Sequence, residues 1–206
     1  LVFALDGLAE DGIRLIIDAV EGGIAPQDVI SRVIIPAQRE VGEMWHRNEI
    51  SIAQEHLVSN TTSDLLAIIA ARFAVQPDKE RRVIVASVAG NPHEVGIKAT
   101  AALFRLAGWQ TVSLGTDLPP KEIAGAVEYF DAGVVVLSAV LPTHMSAIRE
   151  TIEAVREINS RCGILVGGRT FDMAIGLWKE IGADAHCPDL DSVVDMAAHL
   201  LAAKRN

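Results

Sequence analysis

The chain has 206 residues, of which 50% are hydrophobic and 22% are charged, a composition typical of a globular protein. Its 18 Lys and Arg against 27 Asp and Glu give a formal net charge of -9, which disfavours nucleic acid and acidic membranes as partners. The most basic stretch, residues 79–82, lacks the interleaved aromatic residues of a single-strand-binding surface. The longest apolar runs are far shorter than the roughly 20 residues that cross a bilayer, and no signal peptide is recognisable. We therefore expect a soluble, cytoplasmic protein that binds neither nucleic acid nor membrane.

The two cysteines, Cys162 and Cys187, are far apart in the sequence and form no C-x-x-C motif. This spacing indicates neither a disulfide framework nor a zinc site. We expect both side chains to be buried, reduced thiols.

The first third of the chain has a helical pattern, because apolar residues recur at intervals of three and four from residue 5 to residue 74. Gly22-Gly23 and Pro26 separate a first helix from a second, and Pro36 suits the first turn of a third. The segment around Arg47-Asn48 precedes a fourth helix. The pattern predicts a four-helix bundle, a cap domain over residues 1–75.

A polar stretch over residues 76–82 contains Pro77 and has no periodicity, which predicts a linker. From residue 83 to residue 206, short β-branched runs alternate with helical stretches in five consecutive units. The predicted strands cover residues 83–87, 111–114, 134–138, 164–166 and 183–186, and the predicted helices cover residues 94–107, 120–130, 144–159, 171–181 and 190–203. Continuous apolar strands joined by helices predict an α/β domain with a doubly wound, five-stranded parallel sheet of flavodoxin-like type.

Ligands of such sheets bind beyond the carboxyl ends of the strands, so the loops there are the candidate site. The first loop has neither G-x-G-x-x-G nor G-x-x-x-x-G-K-[ST], and it presents His93 where a helix begins, with Gly96 three residues later. Small, hydroxyl or short apolar residues end the strands or follow them: Ser87, Leu114, Gly115, Ser138, Val140, Thr143, Gly167 and Gly168. They leave room for a bulky polar ligand with a nucleotide-like tail.

The combination Asn91-x-His93-x-x-Gly96, Ser138-x-Val140 and Gly167-Gly168 resembles the motif of cobalamin-binding domains, over residues 82–203. The resemblance implies a cobalamin bound base-off, with His93 as the lower axial ligand of cobalt. It also implies that the benzimidazole tail lies along the Ser and Gly-Gly positions. Neutral imidazole is a suitable ligand for cobalt.

The sequence departs from this motif at Asn91, where the family has an acidic residue. An amide can accept the imidazole N–H through its carbonyl oxygen, but it cannot stabilise a positive charge as a carboxylate does. We expect His93 to ligate cobalt with a weaker electronic push. Partial ligation, or another tetrapyrrole such as a bilin in place of cobalamin, stays open as an alternative.

The helical region contains Trp45-His46 and, after nine residues from Trp45, Glu55-His56. This W-x9-E-H pattern resembles the cap of the adenosylcobalamin-dependent photoreceptors of the CarH/LitR type. The resemblance implies that Trp45 packs on the adenosyl group and that Glu55 hydrogen-bonds its ribose. It further implies that His46 becomes the upper cobalt ligand after light, and that Ile52 and His56 line the same face.

These resemblances favour a light-sensing adenosylcobalamin module, not an enzyme, that changes its oligomeric state on photolysis of the Co–C bond. Such a module is expected to form a homo-oligomer and to control transcription or another output through a domain or partner protein outside this segment. The alternative is a corrinoid carrier protein of a methyltransferase system, which has the same bundle-plus-sheet organisation. Bulky residues over the upper face, and Asn91 behind the axial histidine, favour the photoreceptor over the carrier.

Overall fold

The computed structural model describes residues 2–172 and 176–205, without the side chain of Arg205. The chain divides into two compact units, Leu1–Ala74 and Val75–Asn206. Over the described residues, no helix combines the length and the hydropathy that a bilayer span needs.

The described part of the first unit consists of helices joined by short connections and contains no strand. Its helices are α1 (Val2–Leu5), α2 (Ala9–Glu21), α3 (Pro26–Val29), α4 (Ile35–His46) and α5 (Ile52–Phe73). A π-helical turn, Ile30–Ile34, joins α3 to α4 without a break. Pro36 lies in the first turn of α4, as the sequence predicts, but the second and third predicted helices are continuous through the π-helical turn and are not separated by a break.

The π-helical turn explains why Pro36 does not end the helix. In a regular α-helix the proline ring would clash with the carbonyl of Arg32, four residues earlier. The wider turn, in which the Ile35 N–H donates to the Ile30 carbonyl, relieves this clash. Residues 26–46 consequently form one continuous helical segment.

Polar side chains connect α4 to α5. The Gln38 amide Nε2 donates to Ser59 Oγ at 2.6 Å, and Thr62 Oγ1 donates to Gln38 Oε1 at 3.1 Å. The small polar residues in the middle of α5 thus pair with the neighbouring helix, and a capping box formed by Ser51 and Gln54 fixes where α5 begins.

The second unit is an α/β domain with five parallel strands, as the sequence predicts. The strands are β1 (Asp78–Val88), β2 (Trp109–Leu118), β3 (Val134–Ser138), β4 (Gly163–Gly167) and β5 (Ala185–Cys187). The helices are α6 (Val95–Leu106), α7 (Pro120–Tyr129), α8 (Met145–Ile158), α9 (Arg169–Asp172), α10 (Leu177–Glu180) and α11 (Val193–Arg205), with a 3-10 turn at Pro142–His144.

Several predicted boundaries differ from those of the structure. Strand β1 begins at Asp78, so most of the predicted linker at 76–82 is an exposed extension of the strand that pairs with β2. The helix predicted at 171–181 is replaced by α9 and α10, and residues 173–175 lie outside the described residues. Polar, exposed strand ends lack the apolar pattern on which the sequence prediction relied.

The sheet is covered on both faces, because alternate residues of each strand point to opposite sides. Val135 and Ile164 pack in one core with α7 and α8. Gly133 and Gly163 lie against Leu200 and Leu201 of α11, on the other face.

The strand order is β2-β1-β3-β4-β5, so the direction of winding reverses between β1 and β3. At such a switch point the loops leave the two strands in opposite directions and open a crevice at their carboxyl ends. The loops 89–94 and 139–141 flank this crevice, and they carry His93 and Val140 of the predicted site.

Asp184, at the turn before β5, anchors the other end of the domain. Its carboxylate accepts hydrogen bonds from Arg156 at 2.7 Å and from the Ile164 N–H at 2.8 Å, and Lys204 lies 3.1 Å away. Burial raises the pKa of this carboxyl, but the bonds from Arg156, Ile164 and Lys204 outweigh burial and hold the pKa below its ordinary value.

We predict that Asp184→Asn lowers the free energy of unfolding by about 1–3 kcal/mol at neutral pH, because it removes a charged acceptor. The difference in stability between the variant and the wild-type protein should have its full size above the ordinary aspartate pKa of about 3.9. It should decrease as the pH falls through the lower pKa of Asp184 in the folded protein. Urea unfolding at pH 7 and at acidic pH measures this. Glu153→Gln, at an exposed position of α8, is the control; equal losses in both variants would contradict the assignment.

Gly168 follows β4 at a position that only glycine can occupy. Its φ is +111°, and a Cβ there would lie 2.2 Å from the Ala139 carbonyl oxygen. The backbone of the β4–α9 turn therefore approaches the β3 loop as closely as atoms allow, and a side chain would push the two loops apart.

We predict that Gly168→Ala destabilises the protein by more than Gly115→Ala. Both positions have a positive φ, but a Cβ at Gly115 would meet nothing within 4 Å. Gly115→Ala should cost only the backbone strain of about 1–3 kcal/mol, whereas Gly168→Ala adds the clash. Thermal and urea unfolding compare them, and an equal cost would show that the Ala139 contact is unimportant.

Candidate functional site

The register of the sheet brings the strand-end residues of the predicted motif into one row. Ser87 pairs with Ser138, Ser138 with Gly167, and Gly167 with Cys187. By strand alternation, the Ser87 and Ser138 side chains belong to the sheet face that α11 covers. Four strands thus end in small side chains at the same level.

The buried Asn91 side chain forms a hydrogen bond with the ring of His93. The Asn91 amide is fully buried, whereas His93 is exposed. Asn91 Nδ2 donates to the Ser138 carbonyl at 3.0 Å, which leaves Asn91 Oδ1 as the acceptor for the His93 ring. His93 Nδ1 lies 2.7 Å from this oxygen, and the His93 backbone N–H donates to it at 3.3 Å.

This contact decides the tautomer of His93. A carbonyl oxygen only accepts, so the amide of Asn91 cannot be turned over without losing its bond to Ser138. Because Asn91 Oδ1 also only accepts, His93 Nδ1 must carry the proton. The lone pair of the ring then resides on Nε2, which is the nitrogen that can coordinate a metal.

Two residues that the sequence analysis did not single out hold the loops after β1 and β3. The Asp117 carboxylate, in the bulged end of β2, accepts the Gly90 N–H at 2.7 Å. The buried imidazole of His144 accepts the N–H groups of Val140 and Leu141 at 3.3 and 3.2 Å. Asp117 has a positive φ and lies two residues after Gly115 in the sequence. No local sequence signal identifies Gly90 as its hydrogen-bond partner.

The remaining predicted residues of this unit differ in their surroundings. Thr143 is exposed in the 3-10 turn, and Ser87 Oγ donates to the Asn91 carbonyl at 2.9 Å, so it stabilises the loop. Leu114 is the extra residue of a β-bulge, since Val85 pairs with Ser113 and Ala86 with Gly115. A Cβ on Gly96, in the first turn of α6, would meet no atom within 4 Å.

In the first unit, the predicted residues lie at the end of α4 and the beginning of α5. The Trp45 and His46 rings are 5.0 Å apart, and Trp45 is 42% exposed, so it is not a core residue. Ile52 is 58% exposed. Glu55 accepts from Ser59 Oγ at 2.6 Å, and its other oxygen is 3.7 Å from His56 Nε2.

An ion-pair cluster braces the turn between α4 and α5. Arg47 donates to Glu49 at 2.7 Å and to Glu40 at 2.9 Å. The hydrogen bond from Arg47 lowers the pKa of Glu49, and the same bond, followed by the one to Glu40, raises the pKa of Arg47. This cluster fixes the turn directly after His46.

The two cysteines are buried thiols, as expected from the sequence. Burial raises the pKa of Cys187 to about 11 and that of Cys162 to about 12. Neither side chain therefore carries the thiolate that metal binding or covalent attachment of a cofactor requires at neutral pH.

The strand-end residues fit a cobalamin. His93 offers one basic nitrogen whose ring is oriented by a buried acceptor, which is what an axial cobalt ligand needs. The row of small residues and the open space at Gly96 leave room for a large ligand beside that nitrogen. The chemistry of this end of the sheet and the cofactor thus agree.

Comparison with protein families gives two matches along this chain. Residues 81–189 match a family model described as B12 binding domain, and residues 4–70 match a second model with the same description. Both matches support binding of a cobalamin, although neither specifies its upper ligand.

The most similar relatives include a corrinoid protein of Desulfitobacterium hafniense, 27% identical, whose alignment covers 89% of this chain and 87% of the relative. Dimethylamine corrinoid protein 3 of Methanosarcina acetivorans is 24% identical, and the coverage is 90% of this chain and 89% of the relative. The transcriptional repressor CarH of Myxococcus xanthus is 27% identical, but the match covers 74% of this chain and 51% of CarH.

The prediction of a light-sensing module is therefore wrong. Corrinoid proteins align along nearly the whole chain, while CarH aligns less completely and with weaker similarity. The W-x9-E-H pattern on which the prediction rested consists of partly or largely exposed residues near two helix ends. Such a short pattern does not separate a photoreceptor cap from the bundle of other corrinoid proteins.

Solved structures agree on the fold. The monomethylamine corrinoid protein of Methanosarcina barkeri superposes with a TM-score of 0.81 at 18% identity, covering 96% of this chain and 94% of that protein. A chain of the methanol:cobalamin methyltransferase complex MtaBC from the same organism gives a TM-score of 0.57 at 18% identity, covering 97% and 77%. The first family model matches residues 81–189, which is more than half of this chain. The chain therefore belongs to the B12 binding domain family.

Proposed function

We propose that the chain is a corrinoid carrier protein of a methyltransferase system. The observation that carries this proposal is the near-complete alignment with proteins named as corrinoid proteins, six of which are named dimethylamine corrinoid proteins. The chain would bind the cofactor and present it to partner methyltransferases, so it is a carrier and not itself a catalyst. When bound, the cobalamin supplies the cobalt that carries a methyl group.

His93 is the proposed lower axial ligand. Its Nδ1–H donates to Asn91 Oδ1, and this bond orients the ring so that Nε2 is directed away from the Asn91 support. Because Asn91 is buried and bonded to the Ser138 carbonyl, the imidazole has little freedom to rotate. A ligand that is already oriented binds at a lower entropic cost.

Asn91 stands where the cobalamin-binding motif that this sequence resembles has an acidic residue. The amide holds the tautomer of His93 without placing a negative charge next to the ring. The ring nitrogen that faces the metal is then less basic than it would be beside a carboxylate. We propose that cobalt in this protein has a comparatively weak lower ligand.

The other predicted contacts are proposed in the same way. The nucleotide tail would lie along Ser138 and the Gly167-Gly168 pair, at the carboxyl ends of β3 and β4. The partly or fully exposed side chains near the α4–α5 turn would contact the cofactor or the partner: Trp45, His46, Ile52, Glu55 and His56.

The MtaBC structure is titled as a methyltransferase complex, which supports a methyltransferase as the partner class of this chain. A carrier has to exchange its upper ligand, so we propose methylcobalamin as a working form, and binding of adenosylcobalamin stays a prediction. A homo-oligomer and a cytoplasmic location also stay predictions.

The proposal is tested by loading the protein with isotopically labelled methylcobalamin and adding a corrinoid-dependent thiol methyltransferase. We expect label to reach the thiol faster from the loaded protein than from the same concentration of free methylcobalamin. His93→Ala should lose most of this advantage, while His199→Ala, an exposed histidine on α11, should retain it. A rate equal to that of the free cofactor for the wild-type protein would refute the carrier function.

Gly96 tests the position of the cofactor. We predict that Gly96→Ala stabilises the cofactor-free protein by about 0.5–1 kcal/mol, as alanine does in a helix, yet weakens cobalamin binding several-fold. Gly125→Ala in α7, where a Cβ also meets no atom within 4 Å, should give the same stabilisation without weakening. Thermal unfolding and absorbance titration with hydroxocobalamin measure both effects; unchanged binding in Gly96→Ala would place the corrin elsewhere.

A further inference from the structure

Asp117 has an unusual backbone conformation at the end of β2. Its φ is +57°, in the left-handed region that residues other than glycine rarely adopt. Its Oδ1 accepts the Gly90 N–H at 2.7 Å, across 27 positions of sequence. The short, charge-assisted hydrogen bond to another loop indicates that the carboxylate holds that loop in place.

The irregular end of β2 places this carboxylate. The pairing of β1 with β2 shifts by one residue after Ser113 and again after Gly115, so that Val88 pairs with Leu118. Each shift inserts one extra residue into β2 and bends the strand. Asp117 lies in the second irregularity, beside the loop that leaves β1.

The ring of His144 lies near Gly90 but holds the loop after β3. Gly90 has a φ of +80°, and a Cβ added to it would lie 3.9 Å from Cδ2 of the His144 ring. That ring is 4% exposed and accepts two backbone N–H groups of the β3 loop. The contact that anchors Gly90 is therefore its hydrogen bond to Asp117.

We propose that Asp117 is a positioning residue for the axial ligand His93. Its carboxylate fixes Gly90, Gly90 fixes the buried Asn91 next to it, and Asn91 fixes the ring of His93. The position of the imidazole is then a property of three strands and not of one loop. This inference rests on the proposed function, because it concerns how the chain presents a ligand to the corrinoid.

Two substitutions separate the hydrogen bond from the backbone strain. Asp117→Gly removes the acceptor but relieves the positive φ, so the fold itself should not suffer. Asp117→Asn keeps an oxygen acceptor, and asparagine tolerates the left-handed region. If Asp117 only shaped the turn, the glycine variant would behave as well as the wild-type protein.

The experiment uses proteins labelled with 15N-histidine, loads each with hydroxocobalamin, reduces the cobalt by one electron, and records the EPR splitting that an axial nitrogen causes. A 15N-histidine ligand gives a doublet, which is the nitrogen signal scored here, whereas the unlabelled base of the cofactor gives a triplet. For Asp117→Gly we expect at least a threefold smaller fraction of cobalt with the nitrogen signal, and an increase of about tenfold in the Kd of hydroxocobalamin. The thermal midpoint of the cofactor-free protein should stay near that of the wild-type protein. Asp117→Asn should recover most of the nitrogen signal.

Full nitrogen splitting and wild-type affinity in Asp117→Gly would overturn the inference while leaving the carrier function intact. Loss of the signal in Asp117→Gly together with a large drop in thermal midpoint would overturn it as well, since Asp117 would then act on folding. If the wild-type protein itself shows no nitrogen splitting, the assignment of His93 fails first, and the role of Asp117 falls with it.

Discussion

The hydrogen bonds of the Asn91 amide are the interaction on which the site depends. Nδ2 must donate to the Ser138 carbonyl, so Oδ1 must accept, and the only chemistry left for His93 Nδ1 is to donate. A single buried side chain thereby sets the tautomer and the orientation of an exposed imidazole. Because the Asn91 amide is buried, water does not compete for its hydrogen bonds to Ser138 and His93.

The sheet makes that interaction possible. Ser138 ends a strand whose other residues are almost fully buried on both faces, so its carbonyl has a fixed position. The loops above the sheet need close approaches, which explains the glycine at Gly168 and the positive φ values around it. The support of the site, Asn91 and most of β3, is buried, whereas the proposed ligand His93 is exposed. This arrangement suits a carrier, because the ligand keeps a fixed position and stays accessible.

The incorrect prediction of a light-sensing module shows how much a short motif indicates about function. The N-x-H-x-x-G, S-x-V and G-G elements led to the prediction of a cobalamin, and the two family models described as B12 binding domain support that cofactor. The residues Trp45, His46, Glu55 and His56 are near two helix ends, where many sequences can place aromatic and polar side chains. Their spacing resembled one class of cobalamin protein, but the alignment along the chain belongs to corrinoid proteins. The same cofactor serves both classes, so the cofactor motif alone did not discriminate between them.

The sequence by itself determined the α/β class, the parallel sheet, the cobalamin motif and the candidate ligand His93, because apolar periodicity and motif spacing are local properties of the chain. It did not predict that helix continues through Pro36, since the π-helical turn that relieves the proline is not visible in the apolar pattern. Only the tertiary structure decided that the winding reverses between β1 and β3, that Asp117 accepts the Gly90 N–H, and that Asn91 donates to the Ser138 carbonyl. The partners in these two hydrogen bonds are 27 and 47 positions apart, and the folding of the whole sheet, with its register and bulges, is what brings them within hydrogen-bond distance.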